Sequence, residues 1–358
     1  MNYYIKEIRT SEDNKKVEKH AGGKAREDIS AIFSNEGFSE LKIEVDGERG
    51  QKTVLGKLMK HKEIYKKWLG VCKNLETNDT LIVQYPVIDH SLYMGKLGDY
   101  LKNNKIKLVL IIHDLALLRT GTNVAKRIKH RMNLEEMALL KCADIIVVHN
   151  RQMKKVLERQ GISTEKMIEL EIFDYYISQW DEKKASLRAL EKDAPIIIAG
   201  NLSQKKSGYI YNLPDSQSFN LYGINYDDQT KANINYMGSF MPDDLPYELN
   251  GSFGLVWDGP EADTCCGIYG EYLRYNNPHK TSLYLASEIP VIVWRESAMA
   301  DYVEKNNVGL LIDSINEIPE RINHLSDEEY LIMRNNTRDI AKKIRSGHYI
   351  KNAIYSVL

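Results

Sequence analysis

The sequence has only four cysteines, Cys72, Cys142, Cys265 and Cys266, and no CxxC pair among them. That excludes a disulfide framework and a thiolate metal cluster. Adjacent Cys265 and Cys266 are unsuited to an ordinary bridge with each other, so all four read as reduced thiols. Long apolar runs are also missing. No stretch reaches the roughly 18–20 residues that a membrane span needs, and the opening MNYYIKEIRTSEDNKK has no apolar segment of the kind a signal peptide carries. Charge of one sign is absent too. The formal net charge is -1, which gives no global attraction to nucleic acid, and no nucleic-acid partner is expected. There is no Walker loop, HExxH, Ser/His/Asp order or GxGxxG fingerprint. No metal and no cofactor are expected.

What is present is length and rhythm. A chain of 358 residues exceeds what one core usually serves, which points to two domains. Short apolar runs alternate with helical patterns from the start. Strands are predicted at 3–8, 41–45, 80–86, 107–114, 143–150 and 166–174. Helices are predicted after the Gly turn at 21–23, over 53–72, near 90–104, over roughly 123–142 and after 150. The charged stretch 176–194 breaks this rhythm and reads as a linker. A second series of strands follows at 195–201, 218–225, 233–240, 253–259, 290–294 and 309–313. The pattern implies two doubly wound α/β domains with parallel sheets, one over 1–175 and one over 195–330. Residues 331–358 read as a C-terminal helix that packs back on the first domain or pairs with a neighbouring copy.

Ligands in such sheets bind beyond the carboxyl ends of the strands, so strand-end residues are the candidates. YNNPHKTSLYLASEIPVIVW (275–294) runs from loop to helix to buried strand. Pro278 suits a first helical turn, with Asn276 or Asn277 as N-cap. Lys280 then falls at a helix start, where a cation is disfavoured unless an anion faces it. Asn277, Pro278, His279, Thr281 and Ser282 would complete an anion site. The plain alternative is an exposed lysine beside an ordinary cap. AGNLSQKKSGY offers Lys205 or Lys206 to the same crevice, or else a solvated basic loop. Phe240 ends a strand and suits stacking on a nucleobase as well as it suits a rim position. Ala21, Gly22 and Gly23 form a turn that lets a ligand approach the backbone, or a plain loop. His113 and Asp114 close LIIHD, where Asp114 is placed to act as a general base or to cap the next helix. His149 sits at another strand end and Asp174 at the crossover between the domains, and either is placed to line the cleft. The basic segment 57–68 is a solvated helix face or a surface for an anionic membrane.

The run GLVWDG…YLRYNNPHKTSLYLASEIPVIVW…MADYVEKNNVGLLID resembles the nucleotide-sugar half of GT-B glycosyltransferases. It is most similar to bacterial galactofuranosyltransferases and to the glucosyltransferases that extend O-glycans on serine-rich-repeat adhesins. The resemblance implies a GT-B fold, two Rossmann-like domains facing a cleft, with a UDP-sugar held by the second. Carried over by position, Lys280 and its helix start would bind the diphosphate, with Lys205 assisting. Phe240 would lie near the uracil, and the Ala21–Gly22–Gly23 turn would approach the donor. Asp114, with His113 beside it, would be the base for the acceptor hydroxyl. Many retaining members carry two glutamates eight positions apart; here those positions are Tyr275 and Leu283. The implied reaction is therefore inverting and metal-independent. It moves a galactofuranosyl or, second, a glucosyl group to a lipid- or protein-linked glycan acceptor. The implied location is the cytoplasm or the inner face of the membrane. The competing expectations are a UDP-sugar epimerase and a non-catalytic partner subunit.

Overall fold

A computed structural model describes residues 1–9, 22–46, 53–119, 136–227 and 231–358. The predicted helix near 123–142 lies mostly outside these residues, as does Ala21; 136–142 is helical. The described residues fall into two compact units. One holds those of 1–17, 30–170 and 353–358, and the other those of 18–29 and 171–352.

The first unit is built on a six-stranded sheet of β1 (Asn2–Arg9), β2 (Ser39–Val45), β3 (Thr80–Tyr85), β4 (Lys107–Ile112), β5 (Ile145–Val148) and β6 (Met167–Glu169). All neighbours are parallel, in the order β2-β1-β3-β4-β5-β6. Every residue of β3 is buried. A parallel sheet covered on both faces demands that, and this is why its central strands read as continuous apolar runs. Trp68 and Ile64 on the helix Val54–Cys72 pack into this core with Leu81, Leu110 and Val148. The outer face of that helix carries exposed Leu55, Leu58 and Met59. The sixth strand is shorter than predicted, and the chain leaves the ladder after Glu169.

The second unit has its own parallel sheet of β7 (Ile196–Asn201), β8 (Phe219–Ile224), β9 (Ile234–Gly238), β10 (Gly254–Val256), β11 (Val291–Trp294) and β12 (Gly309–Ile312). The order is β12-β11-β10-β7-β8-β9. The chain winds outward from β7 in both directions, so the order reverses between β7 and β10. A crevice opens at such a switch point because the connections leave to opposite faces. Residues 176–194 include a short helix, Glu182–Ala185, and a buried Arg188 that donates to the Pro246 carbonyl at 2.9 Å and the Ser287 carbonyl at 2.5 Å. The C-terminal segment is two helices, Asp327–Arg345 and His348–Tyr355, rather than one; Gly347 breaks it at φ 75°. Among the described residues no helix is long and apolar enough to cross a membrane.

Candidate functional site

The switch point of the second unit gathers the loops after β7 and β10 and the start of the helix His279–Ala286. One packing choice sets that helix in place. Gly254 has no side chain, and a Cβ there would lie 2.1 Å from the Tyr284 ring. The helix therefore closes on β10. The Tyr284 hydroxyl accepts the Ala199 N–H at 2.7 Å, which ties the helix to the end of β7. Lys280, one turn earlier, then projects to where β10 ends.

Lys280 is largely buried. Its Nζ donates to the Trp257 carbonyl at 2.9 Å and to Asp258 Oδ1 at 2.8 Å. The anion that faces this helix-start lysine is thus Asp258. Burial pulls the Lys280 pKa down, Asp258 raises it, and the charge of Lys206 lowers it again. Lys205 is exposed on the short helix Gln204–Ser207, whereas Lys206 is half-buried with its Nζ 5.8 Å from the Tyr269 ring centroid. Of the two lysines offered by the sequence, Lys206 is the one whose charge reaches Lys280. Gly259 joins the two loops. Its φ is 118°, a Cβ there would meet the Cys266 carbonyl at 2.5 Å, and its N–H donates to the Lys206 carbonyl at 2.8 Å.

The cap differs from expectation. Pro278 is itself the N-cap, at φ -65° and ψ 130°, and its side chain makes no capping hydrogen bond. Asn277 instead donates to the Glu171 carbonyl at 3.0 Å, and Asn276 Oδ1 is buried without a partner. An Asn caps by accepting, through Oδ1, the N–H two or three residues ahead, whereas the Asn277 side chain is oriented by the bond from its Nδ2 to the Glu171 carbonyl. Thr281 and Ser282 are fully buried, and neither hydroxyl oxygen has a hydrogen-bond partner. His279 stacks on Tyr175 with ring centroids 5.1 Å apart, and its Nε2 lies 3.2 Å from the Asp174 carbonyl. A carbonyl only accepts, so Nε2 carries the proton. Burial pushes this imidazole down to about 4, so it is neutral at pH 7.

Gly22 and Gly23 are exposed and open the helix Lys24–Asn35, with the Gly23 carbonyl accepting from Arg26 and Glu27 at 3.0 and 3.1 Å. The next residue, Lys24, is buried against Asp28 at 2.6 Å, Asp243 at 2.9 Å and the Tyr176 carbonyl at 3.1 Å. Burial raises the Asp28 pKa to about 6 despite that lysine. Phe240 is half-buried just beyond β9, 6.2 Å from the Tyr222 ring. Asp174 is not a strand-end ligand group. Its carboxylate accepts the Tyr349 and Ile350 N–H groups at 3.2 and 2.8 Å, capping the last helix.

In the first unit, β4 ends at His113 and Asp114. His113 Nε2 lies 2.7 Å from Gln84 Oε1 on the neighbouring strand. Asp114 is half-exposed and pairs with Arg119 at 3.0 Å. Behind it, buried Glu136 accepts the Ala116 and Leu117 N–H groups at 2.8 and 3.0 Å. This carboxylate, not Asp114, caps the short helix Ala116–Arg119, and burial raises its pKa. His149 is a core residue. Its Nε2 lies 3.0 Å from the Ile112 carbonyl, and burial pushes it down to about 4. Sequence reasoning missed Glu136 and Asp258. Asp258 carried a usable signal, since VWDG ends a strand on a carboxylate just as IIHD does.

Two domain models of one family cover the chain, the N-terminal domain of glucosyltransferase 3-like proteins over residues 2–172 and the C-terminal domain over 196–357. The chain belongs to the glucosyltransferase 3-like family. It is therefore a glycosyltransferase, as the NPHK resemblance implied. This family member is 34% identical over 342 residues to beta-1,6-galactofuranosyltransferase WbbI of Escherichia coli (strain K12), covering 94% of each chain. It is 22% identical over 334 residues to glucosyltransferase 3 of Streptococcus gordonii, covering 92% of each. Among solved structures it is similar to sucrose-phosphate synthase from Thermosynechococcus elongatus, with TM-score 0.61 and 12% identity over 99% of this chain and 97% of that one. WaaG, a glycosyltransferase involved in lipopolysaccharide biosynthesis, matches with TM-score 0.55 and 12% identity over all of both chains. At these identities the likeness concerns the fold, and the fold is GT-B.

Proposed function

We propose that this family member is an inverting, metal-independent hexosyltransferase that uses a UDP-sugar donor and a saccharide acceptor. The observation that carries the donor reading is Lys280, a buried ammonium at a helix start on the switch point of the second sheet. Helix-start N–H groups and a lysine together suit a diphosphate. Lys206 adds positive charge from the facing loop, with Lys205 further out. Phe240 is assigned to the uracil side and the Gly22–Gly23 turn to the donor's sugar side. Asp114 is assigned as the general base, with His113 beside it.

In this scheme the acceptor hydroxyl gives its proton to the Asp114 carboxylate as its oxygen attacks the anomeric carbon. The bond from that carbon to the diphosphate oxygen breaks, and UDP leaves with the electron pair. Charge develops on the leaving diphosphate, and Lys280 stabilises it there without a metal. The positions of the retaining-type glutamate pair hold Tyr275 and Leu283, which supports inversion.

Galactofuranose is the first donor sugar because the relative at 34% identity is named for its transfer. Glucose is second, because relatives from Streptococcus gordonii and Streptococcus parasanguinis are named glucosyltransferase 3. We assign the protein to the cytoplasm, where it would meet a lipid- or protein-linked acceptor. The test is turnover of UDP-galactofuranose and of UDP-glucose with EDTA present, with the product's anomeric configuration read by NMR. Transfer with inversion is expected. Retention, or activity abolished by EDTA and restored by a divalent ion, would refute the mechanism.

A further inference from the structure

An ammonium has three N–H donors, and the geometry accounts for two at Lys280, one to the Trp257 carbonyl and one to Asp258 Oδ1. The surroundings otherwise oppose a charge there. Burial lowers the Lys280 pKa, the helix start adds partial positive charge, and Lys206 repels. The other groups that face this centre are neutral. Burial pushes the Cys265 thiol and the Tyr209 and Tyr284 phenols up. Asp258 supplies the compensating carboxylate, and the strand end and the Gly259 turn hold it.

We propose that Asp258 is a positioning residue that keeps the Lys280 ammonium charged and aimed, leaving its third N–H for an oxygen of the donor diphosphate. This inference rests on the reading that Lys280 binds the diphosphate. It assigns Asp258 an action on the ligand through Lys280 alone. Removing its negative charge lets Lys280 lose its proton at a lower pH, so UDP binding weakens first in alkaline solution.

The experiment is calorimetric titration of the full chain with UDP at about pH 6.5 and about pH 9. The variants are Asp258→Asn, Lys280→Ala and the double variant, each checked for folding by circular dichroism. Relative to wild type at the same pH, Asp258→Asn is expected to weaken UDP about tenfold or more near pH 9, the order of one hydrogen bond to a charged group, and less near pH 6.5. In the Lys280→Ala background the same substitution should change the affinity by less than about twofold, because the two act as one unit. The proposal is overturned if Asp258→Asn matches wild type at both pH values or binds UDP more tightly. It is overturned equally by full loss in the Lys280→Ala background. Should Asp258→Asn not fold, Asp258→Ser takes its place with the same expectations, since it too removes the charge, and UDP affinity equal to wild type at both pH values overturns the proposal. If Lys280→Ala binds UDP like wild type, the donor-site reading itself fails, whatever Asp258→Asn does.

Discussion

Each unit of this glycosyltransferase ends a strand on an ion pair, and the two pairs are built differently. Lys280 and Asp258 sit 2.8 Å apart with side chains only 14% and 10% exposed. Asp114 and Arg119 sit 3.0 Å apart with side chains 40% and 41% exposed. A buried pair is fixed, because separating its members leaves a charge without water. An exposed pair exchanges its partners at little cost. The binding half of the proposed reaction is thus held in place before any ligand arrives, and the proton-transfer half is free to trade Arg119 for an acceptor hydroxyl. The difference suits the two tasks. A diphosphate needs a preset cation, while acceptor attack needs a carboxylate that can let go.

The comparison breaks most sharply at Asp114. Asp114→Asn should lower kcat by about 10²- to 10⁴-fold, the usual worth of a general base, while UDP affinity stays at the wild-type value. Unchanged kcat in steady-state transfer would remove Asp114 from the chemistry. A smaller effect is expected behind it. Glu136→Ala removes the acceptor for the Ala116 and Leu117 N–H groups and should cost about 1–3 kcal/mol of stability in urea unfolding. A neutral result would mean that the Ala116–Arg119 turn holds without its cap. Smallest is Arg119→Ala. An exposed pair is worth at most about 1 kcal/mol, so unfolding should barely move. A loss like that of a buried pair, about 3–5 kcal/mol, would erase the contrast between the two sites.

The fold was largely legible because parallel strands buried on both faces must be continuous apolar runs, and TLIVQY, KLVLII and VIVW are such runs. Lys280 was legible because a lysine at a helix start contradicts the dipole and asks for an anion. Its partner was not. Asp258 lies 22 residues away in sequence, and only the closure of Tyr284 over Gly254 brings them together. The same distance problem hid Glu136, which caps a helix 20 residues before it. The choice between Lys205 and Lys206 depends on which face of a single short turn looks inward, and adjacent lysines give no periodicity to decide it. Asn277 and Pro278 misled for a local reason. The motif looks like a cap followed by N1 proline, but the asparagine is drawn away by the Glu171 carbonyl and the proline takes the cap itself.

The central claim is that Lys280 binds the diphosphate of a UDP-sugar. Calorimetric titration of wild type and Lys280→Ala with UDP in the presence of EDTA, both folded by circular dichroism, tests it most directly. The account predicts EDTA-insensitive binding by wild type and affinity weaker by about tenfold or more in the variant, the order of one hydrogen bond to a charged group. Equal affinity in the two proteins would contradict it.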